Sequence, residues 1–208
     1  MSRDLSGLLQ HPAIWRGRSA AQLRTLPTGF PALDEGLPGG GWPQAGLIEV
    51  LPSGFGVGEL SLLLPALATT TRRPEARWCA WVAPPLQPFA PALEARGVAL
   101  ERILMVRPPR QDEREKSALW AFEQTLRSGA CDIVLGWLRS ALPRQIRRLH
   151  LAAERGATLG VLFRPRQAAR DSSPAALRIA VEPTVGGARV TLLKSRGGAR
   201  GAIELFSR

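Results

Sequence analysis

The chain has 208 residues, 45% of them hydrophobic, which is enough for one α/β domain with a substantial core. No apolar run approaches the ~18–20 residues needed to span a bilayer, and the first residues lack the apolar stretch of a secretory signal; a cytoplasmic protein with no membrane partner is expected. The net charge of +11, carried by 26 Arg and 2 Lys against 17 acidic residues, favours anionic partners, either nucleic acid or an acidic protein surface.

Residues 1–26 read as an N-terminal arm and residues 27–208 as the core domain. In the arm, Leu5, Leu8 and Leu9 fit a short amphipathic turn, and Trp15 is a candidate anchor for a partner. A short helix is predicted around 31–36, closed by the Gly/Pro turn at 38–43, and a strand follows at 46–51. Helix 59–69 contains Pro65 about one turn in, so it is kinked or starts late. Strand 78–83 is continuously apolar, as in a buried parallel sheet. Helix 88–96, ending at Gly97, leads to strand 103–107. Helix 111–128 sets Leu119, Phe122 and Leu126 on one face. Asp112, Glu113 and Glu115 at its start favour the helix dipole. Strand 131–137 precedes helix 143–155, which opens on Pro143. That helix turns Ile146, Leu149 and Ala153 inward and Arg144, Arg147 and Arg148 outward. Strand 157–163 closes the β/α series. Three strands then follow, at 177–181, 189–194 and 202–206, separated by Gly-rich turns at 186–187 and 197–198. The fold class is α/β: a mixed, mainly parallel sheet flanked by helices, with a C-terminal antiparallel meander.

Chemistry is sparse. Cys79 and Cys131 lie within apolar strands and read as buried thiols; their spacing is not that of a metal site. His11 and His150 stand alone, with no triad or metal set around them. The exception is the segment after strand 46–51. Ser53, Gly54, Gly56 and Gly58 form a glycine-rich turn leading into an apolar helix, the strand–loop–helix frame of a phosphate-binding loop. A working loop ends Gly-Lys-Ser/Thr, whereas Gly58 is followed by Glu59 and Leu60. A carboxylate in place of the ammonium turns attraction into repulsion, about 4 kcal/mol for one contact at ~4 Å and an effective dielectric of ~20. No catalytic residue, cofactor or metal is predicted.

Three ordered stretches resemble the RecA-type recombinase core over nearly the whole chain from about residue 25. The first is Thr28-Gly29, Leu33-Asp34, Gly39-Gly40-Gly41, Pro43 and Leu47–Val50. The second is Leu93, Gly97-Val98 and Ile103-Leu104. The third, 127–135, is similar to the segment that ends in the Walker B strand. On that resemblance the Walker lysine and hydroxyl fall on Glu59 and Leu60, the water-activating acid near Pro84-Pro85, and the Walker B acid on Gly136 or Trp137, which implies a degenerate, non-hydrolysing ATPase site. The basic segment with Arg164, Arg166 and Arg170 takes the place of the second DNA-binding loop.

Within that superfamily the segments 28–34, 37–43, 56–60 and 83–85 resemble the ImuA family of RecA-like proteins associated with translesion DNA synthesis. The resemblance implies a non-catalytic adaptor of an SOS-induced mutagenic complex. Its partners would be an ImuB-type Y-family polymerase homologue and an error-prone replicative-type DNA polymerase, with RecA and DNA as further candidates. Contact residues would be sought at Trp15, at Arg144, Arg147 and Arg148, at Arg164, Arg166 and Arg170, and at Lys194, Arg196 and Arg200. Two alternatives stand beside it: a basic DNA-binding module, and a SulA-like inhibitor of cell division, which would bind the tubulin-like division protein.

Overall fold

The computed structural model describes residues 24–56, 58–109, 114–195 and 201–206. Two short strands, β1 (Thr25–Leu26) and β2 (Trp42–Pro43), pair antiparallel around α1 (Pro31–Gly36). The main series is β3 (Gly46–Pro52), α2 (Leu64–Thr71), β4 (Trp78–Val82), α3 (Ala90–Ala95), β5 (Ile103–Val106), α4 (Arg114–Arg127), β6 (Cys131–Trp137), α5 (Pro143–Arg155) and β7 (Leu159–Phe163). A meander of β8 (Leu177–Thr184), β9 (Gly187–Ser195) and β10 (Gly201–Phe206) completes the described chain. The eight long strands make one sheet in the order β10-β9-β8-β3-β7-β6-β4-β5. It is parallel from β8 to β5 and antiparallel from β8 to β10.

The first strand of the series is thus placed inside the sheet, between β7 and β8, and all seven of its residues are buried. Such a strand needs apolar side chains on both faces. Ile48 and Val50 pack with Leu33 of α1, Leu67 of α2 and Leu93 of α3, while Leu47 packs with Phe122 of α4 and Leu149 of α5. The helices therefore cover opposite faces, three short ones on one side and the two long ones on the other.

The long helices lie close because the strands beneath them carry glycine. A Cβ built on Gly136 of β6 would sit 2.8 Å from the Phe122 ring, and one on Gly160 of β7 would meet Leu126 at 2.8 Å and Leu47 at 2.9 Å. At the opposite end of these strands Arg77 donates to Asp132 and to the carbonyls of Gly129, Gly156 and Ala157, drawing three loops together.

The predicted strands and helices form at or within a few residues of the expected places, with one informative shift. Helix α2 begins at Leu64, not at 59, with Pro65 in its first turn. Proline lacks an N–H and its ring excludes a preceding helical turn, so residues 58–63 form turns closed by Ser61 N–H to Gly58 O and Leu63 N–H to Leu60 O. Trp42 is a packing anchor with no exposed surface, whereas Trp120 on α4 is 65% exposed. Of the expected arm, residues 1–23, including His11 and Trp15, lie outside the described residues, as do Asp112, Glu113, the turn at 197–198, Arg196 and Arg200. Glu115 does more than favour a helix dipole: its carboxylate accepts the amides of Arg139 and Ser140.

Two predictions follow from the packing. Gly136→Ala forces its methyl group into the Phe122 ring and should cost about 1–3 kcal/mol, read as a lower urea midpoint with an unchanged slope. Burial pushes the Cys79 thiol up to about 12 and the Cys131 thiol up to about 11. Both should resist a thiol-specific reagent at pH 8 in the native protein and react once denaturant is added.

Candidate functional site

In open α/β sheets ligands gather at the carboxyl ends of the strands, and the glycine-rich turn from Ser53 lies at that edge, directly after β3. Its geometry explains why a carboxylate is tolerated there. Glu59 is buried, and both of its oxygens accept the backbone N–H of Gly56, at 2.9 and 3.1 Å. The loop has supplied its own anion. Gly56 and Gly58 adopt left-handed backbone angles, φ 82° and 95°, that glycine reaches without strain. An amide that could have turned to a phosphate is already engaged, and no ammonium or hydroxyl stands at residues 59 and 60.

The positions expected to have lost their acids are filled with aromatic and proline residues. Trp137, at the end of β6, stacks on Phe163 of β7 with ring centres 4.7 Å apart and packs against Trp81 of β4 at 5.9 Å. Trp81 and Phe163 are buried. Ala83, which leads into Pro84-Pro85, holds a left-handed φ of 55°, an uncommon conformation for a residue with a Cβ. Among the described residues no group of three or more His, Cys, Asp or Glu could hold a metal ion. At these strand ends the aromatic rings are core packing, with only Trp137 partly exposed.

On the other face of β3 a buried ionic network replaces the expected DNA-contact loop. Glu49, fully buried, accepts from Arg164 at 3.0 Å and from Arg178 at 2.6 Å. Arg164 also donates to Asp171 at 2.9 Å and to the carbonyl of Ala141, and Arg178 donates to the carbonyls of Ala168 and Asp171. Arg164 is therefore corrected as a contact candidate: it is 3% exposed, and its guanidinium is committed to an internal carboxylate. Arg166 pairs with Glu182 at 3.5 Å, and Arg170 is exposed on the same 3-10 turn. Arg144 and Arg147 are exposed on α5, where Arg148 pairs with Glu123. Lys194 donates to the carbonyl of Ser173. Of the described candidates, Arg148, Arg164, Arg166 and Lys194 are thus partnered within the fold, while Arg144, Arg147 and Arg170 are exposed. His150 is structural: its Nδ1 accepts the buried N–H of Leu47 at 3.0 Å.

Two apolar surfaces escaped sequence reasoning. Beside the edge strand β5, Leu104 and Trp120 are 43% and 65% exposed. Val106 and Trp120 line a hollow of about 450 Å³ there. Alternation along β5 would have placed Leu104 and Val106 on one face, but not that α4 leaves that face uncovered. A second, larger groove of about 870 Å³ lies between the start of α1, the turn before α2 and the β9–β10 strands.

A family model described as "Cell division inhibitor SulA" matches residues 56–160, 105 of the 208 residues. The cell division inhibitor SulA of Edwardsiella piscicida is 34% identical over 125 residues, covering 60% of this chain and 71% of that protein. That of Photorhabdus laumondii is 32% identical over 117 residues, covering 56% of this chain and 63% of that protein. A crystal structure of SulA from Pseudomonas aeruginosa aligns with 28% identity and a TM-score of 0.46 over 57% of this chain and 97% of that one. The family and sequence matches overturn the expected kinship with the ImuA proteins. With it fall the mutagenic complex and its expected partners: the ImuB-type homologue, the error-prone polymerase, RecA and DNA. The segments on which the ImuA resemblance rested, 28–34, 37–43, 56–60 and 83–85, are short and lie largely in glycine- and proline-rich turns, whose composition is set by backbone geometry as much as by descent.

The ionic network has a distinctive signature. Glu49→Ala leaves two buried guanidinium groups facing each other and should destabilise the fold by about 3–5 kcal/mol, whereas Arg166→Ala, which breaks a half-exposed pair, should change it by about 0.5 kcal/mol or less; paired urea titrations distinguish the two.

Proposed function

Because the chain belongs to the SulA family, we propose that it is a cell division inhibitor that works by binding and not by turnover. The observation that carries this reading is the family match through 56–160, a stretch that begins inside the degenerate loop and ends in β7. The target we propose is the tubulin-like division protein. The setting is the bacterial cytoplasm after DNA damage; among the described residues no helix is long and apolar enough to cross a membrane.

The absence of turnover has a physical rationale in the loop. We read residues 53–60 as a nucleotide loop turned into a structural turn, with Glu59 in the role of an internal anion on the Gly56 amide. Adding a triphosphate would set it against that carboxylate, with neither the ammonium nor the hydroxyl of a working loop at residues 59 and 60. The surface we assign to the target is the face beside β5, where Leu104 and Trp120 are exposed within the family-matched stretch. A large aromatic side chain on a partly uncovered sheet edge is the kind of anchor that dominates binding energy.

The test is direct. Added to the purified division protein with GTP, the chain should lower polymer mass measured by light scattering, and its expression in a bacterium should give filamentous cells. Unchanged polymer mass and normal cell length with folded protein would overturn the reading. Trp120→Ala should weaken inhibition about tenfold with little change in melting temperature. ATP with Mg²⁺ should produce no binding heat with the wild-type chain.

A further inference from the structure

The larger groove is built mostly by parts of the chain outside the family match. Phe30 and Ala32 at α1 form one wall, and Ala188 and Leu205 of the terminal meander form another. Leu64 closes it from the matched stretch, and Arg96 stands at its rim. Their arrangement is held firmly. A Cβ on Gly29 would lie 2.4 Å from the Cβ of Pro65, and one on Gly36 would lie 2.7 Å from Ile203 of β10, so the segment entering α1 is packed tightly on the first turn of α2 and the end of α1 on the sheet edge.

The electrostatics of the groove are one-sided. Of its two charged lining residues, Glu204 is paired with Arg189 on the neighbouring strand. Arg96 is exposed and pairs with no carboxylate among the described residues. The whole chain carries +11. A phosphate backbone needs a row of cations, and this groove presents leucine, phenylalanine and alanine, the ion-paired Glu204 and one guanidinium that pairs with no described carboxylate. Such a lining suits apolar side chains presented with a carboxylate beside them.

We infer that the groove between α1, the α2 turn and the terminal meander is a second interaction site, which takes an acidic amphipathic segment of a protein partner, apolar side chains against Phe30, Leu64 and Leu205 and a carboxylate on Arg96. The site is separate from the β5 face. Groove binding is read from peptide affinity and division inhibition from polymer mass, so each can fail while the other stands.

A phage-displayed library of random twelve-residue peptides, panned on the full chain, tests it. Enriched peptides should combine Leu, Ile or Phe with Asp or Glu. Their affinity, measured by fluorescence anisotropy, should fall at least about tenfold on Ala32→Trp, which fills the groove from an exposed helical position. Arg96→Glu should give a similar loss for acidic peptides, regained when the peptide acids are changed to Lys. Both variants should keep the wild-type near-ultraviolet dichroism and melting temperature, which separates a blocked groove from a misfolded chain. Failure to enrich any peptide, enrichment of neutral or basic peptides, or affinities unchanged in both folded variants would each overturn the inference.

Discussion

A carboxylate without water sits at the centre of this sheet, and the joint between its two halves is organised around it. Glu49 belongs to the strand that separates β7 from β8, and it faces Arg164, just beyond one, and Arg178, within the other. Removing charges from water is costly, and it is tolerated here because Arg164 also donates to the carbonyl of Ala141 ahead of α5, and Arg178 to the carbonyls of Ala168 and Asp171 in the segment between β7 and β8. The same contacts settle where residues 164–171 run and how the chain returns to the sheet. The parallel series and the meander are therefore joined by ionic geometry as well as by hydrogen-bonded ladders.

The two faces of the sheet solve different problems. Beneath the long helices, Gly136 and Gly160 let Phe122 and Leu126 approach the backbone, and the core is close-packed. Beneath the short helices, three pieces of helix and a run of turns cover the strands, and it is on this side that the groove opens. A site that only binds needs shape and surface more than tuned titratable groups. The buried carboxylates of Glu49 and Glu59 and the imidazole of His150 are engaged with Arg164 and with the amides of Gly56 and Leu47.

Much of the fold was legible in the sequence because its strands are continuous apolar runs and its glycines and prolines mark the turns; β6 and α5 lie where the pattern of residues places them. The start of α2 was legible only as a choice, and Pro65 decided it. Arg164 was misread because a basic residue in a polar segment looks solvated, and its partner, Glu49, is 115 residues away in the chain. The one hint was a carboxylate inside the apolar run 47–51, which a buried strand accepts only with a counter-charge. The lineage was misread for a related reason. Turn-forming residues repeat wherever a strand must meet a helix, and the resemblance leaned on them, whereas the family match extends across strands and helices from 56 to 160.

That match has a structural limit of its own. It starts after β3 and stops inside β7, so it leaves out the strand against which β7 lies and to whose Leu47 amide His150 is bonded. The stretch that the family model matches and the folded sheet therefore do not coincide. The matched stretch is threaded around a strand supplied from upstream, and cut out alone it would be an open half-sheet with an exposed hydrophobic seam.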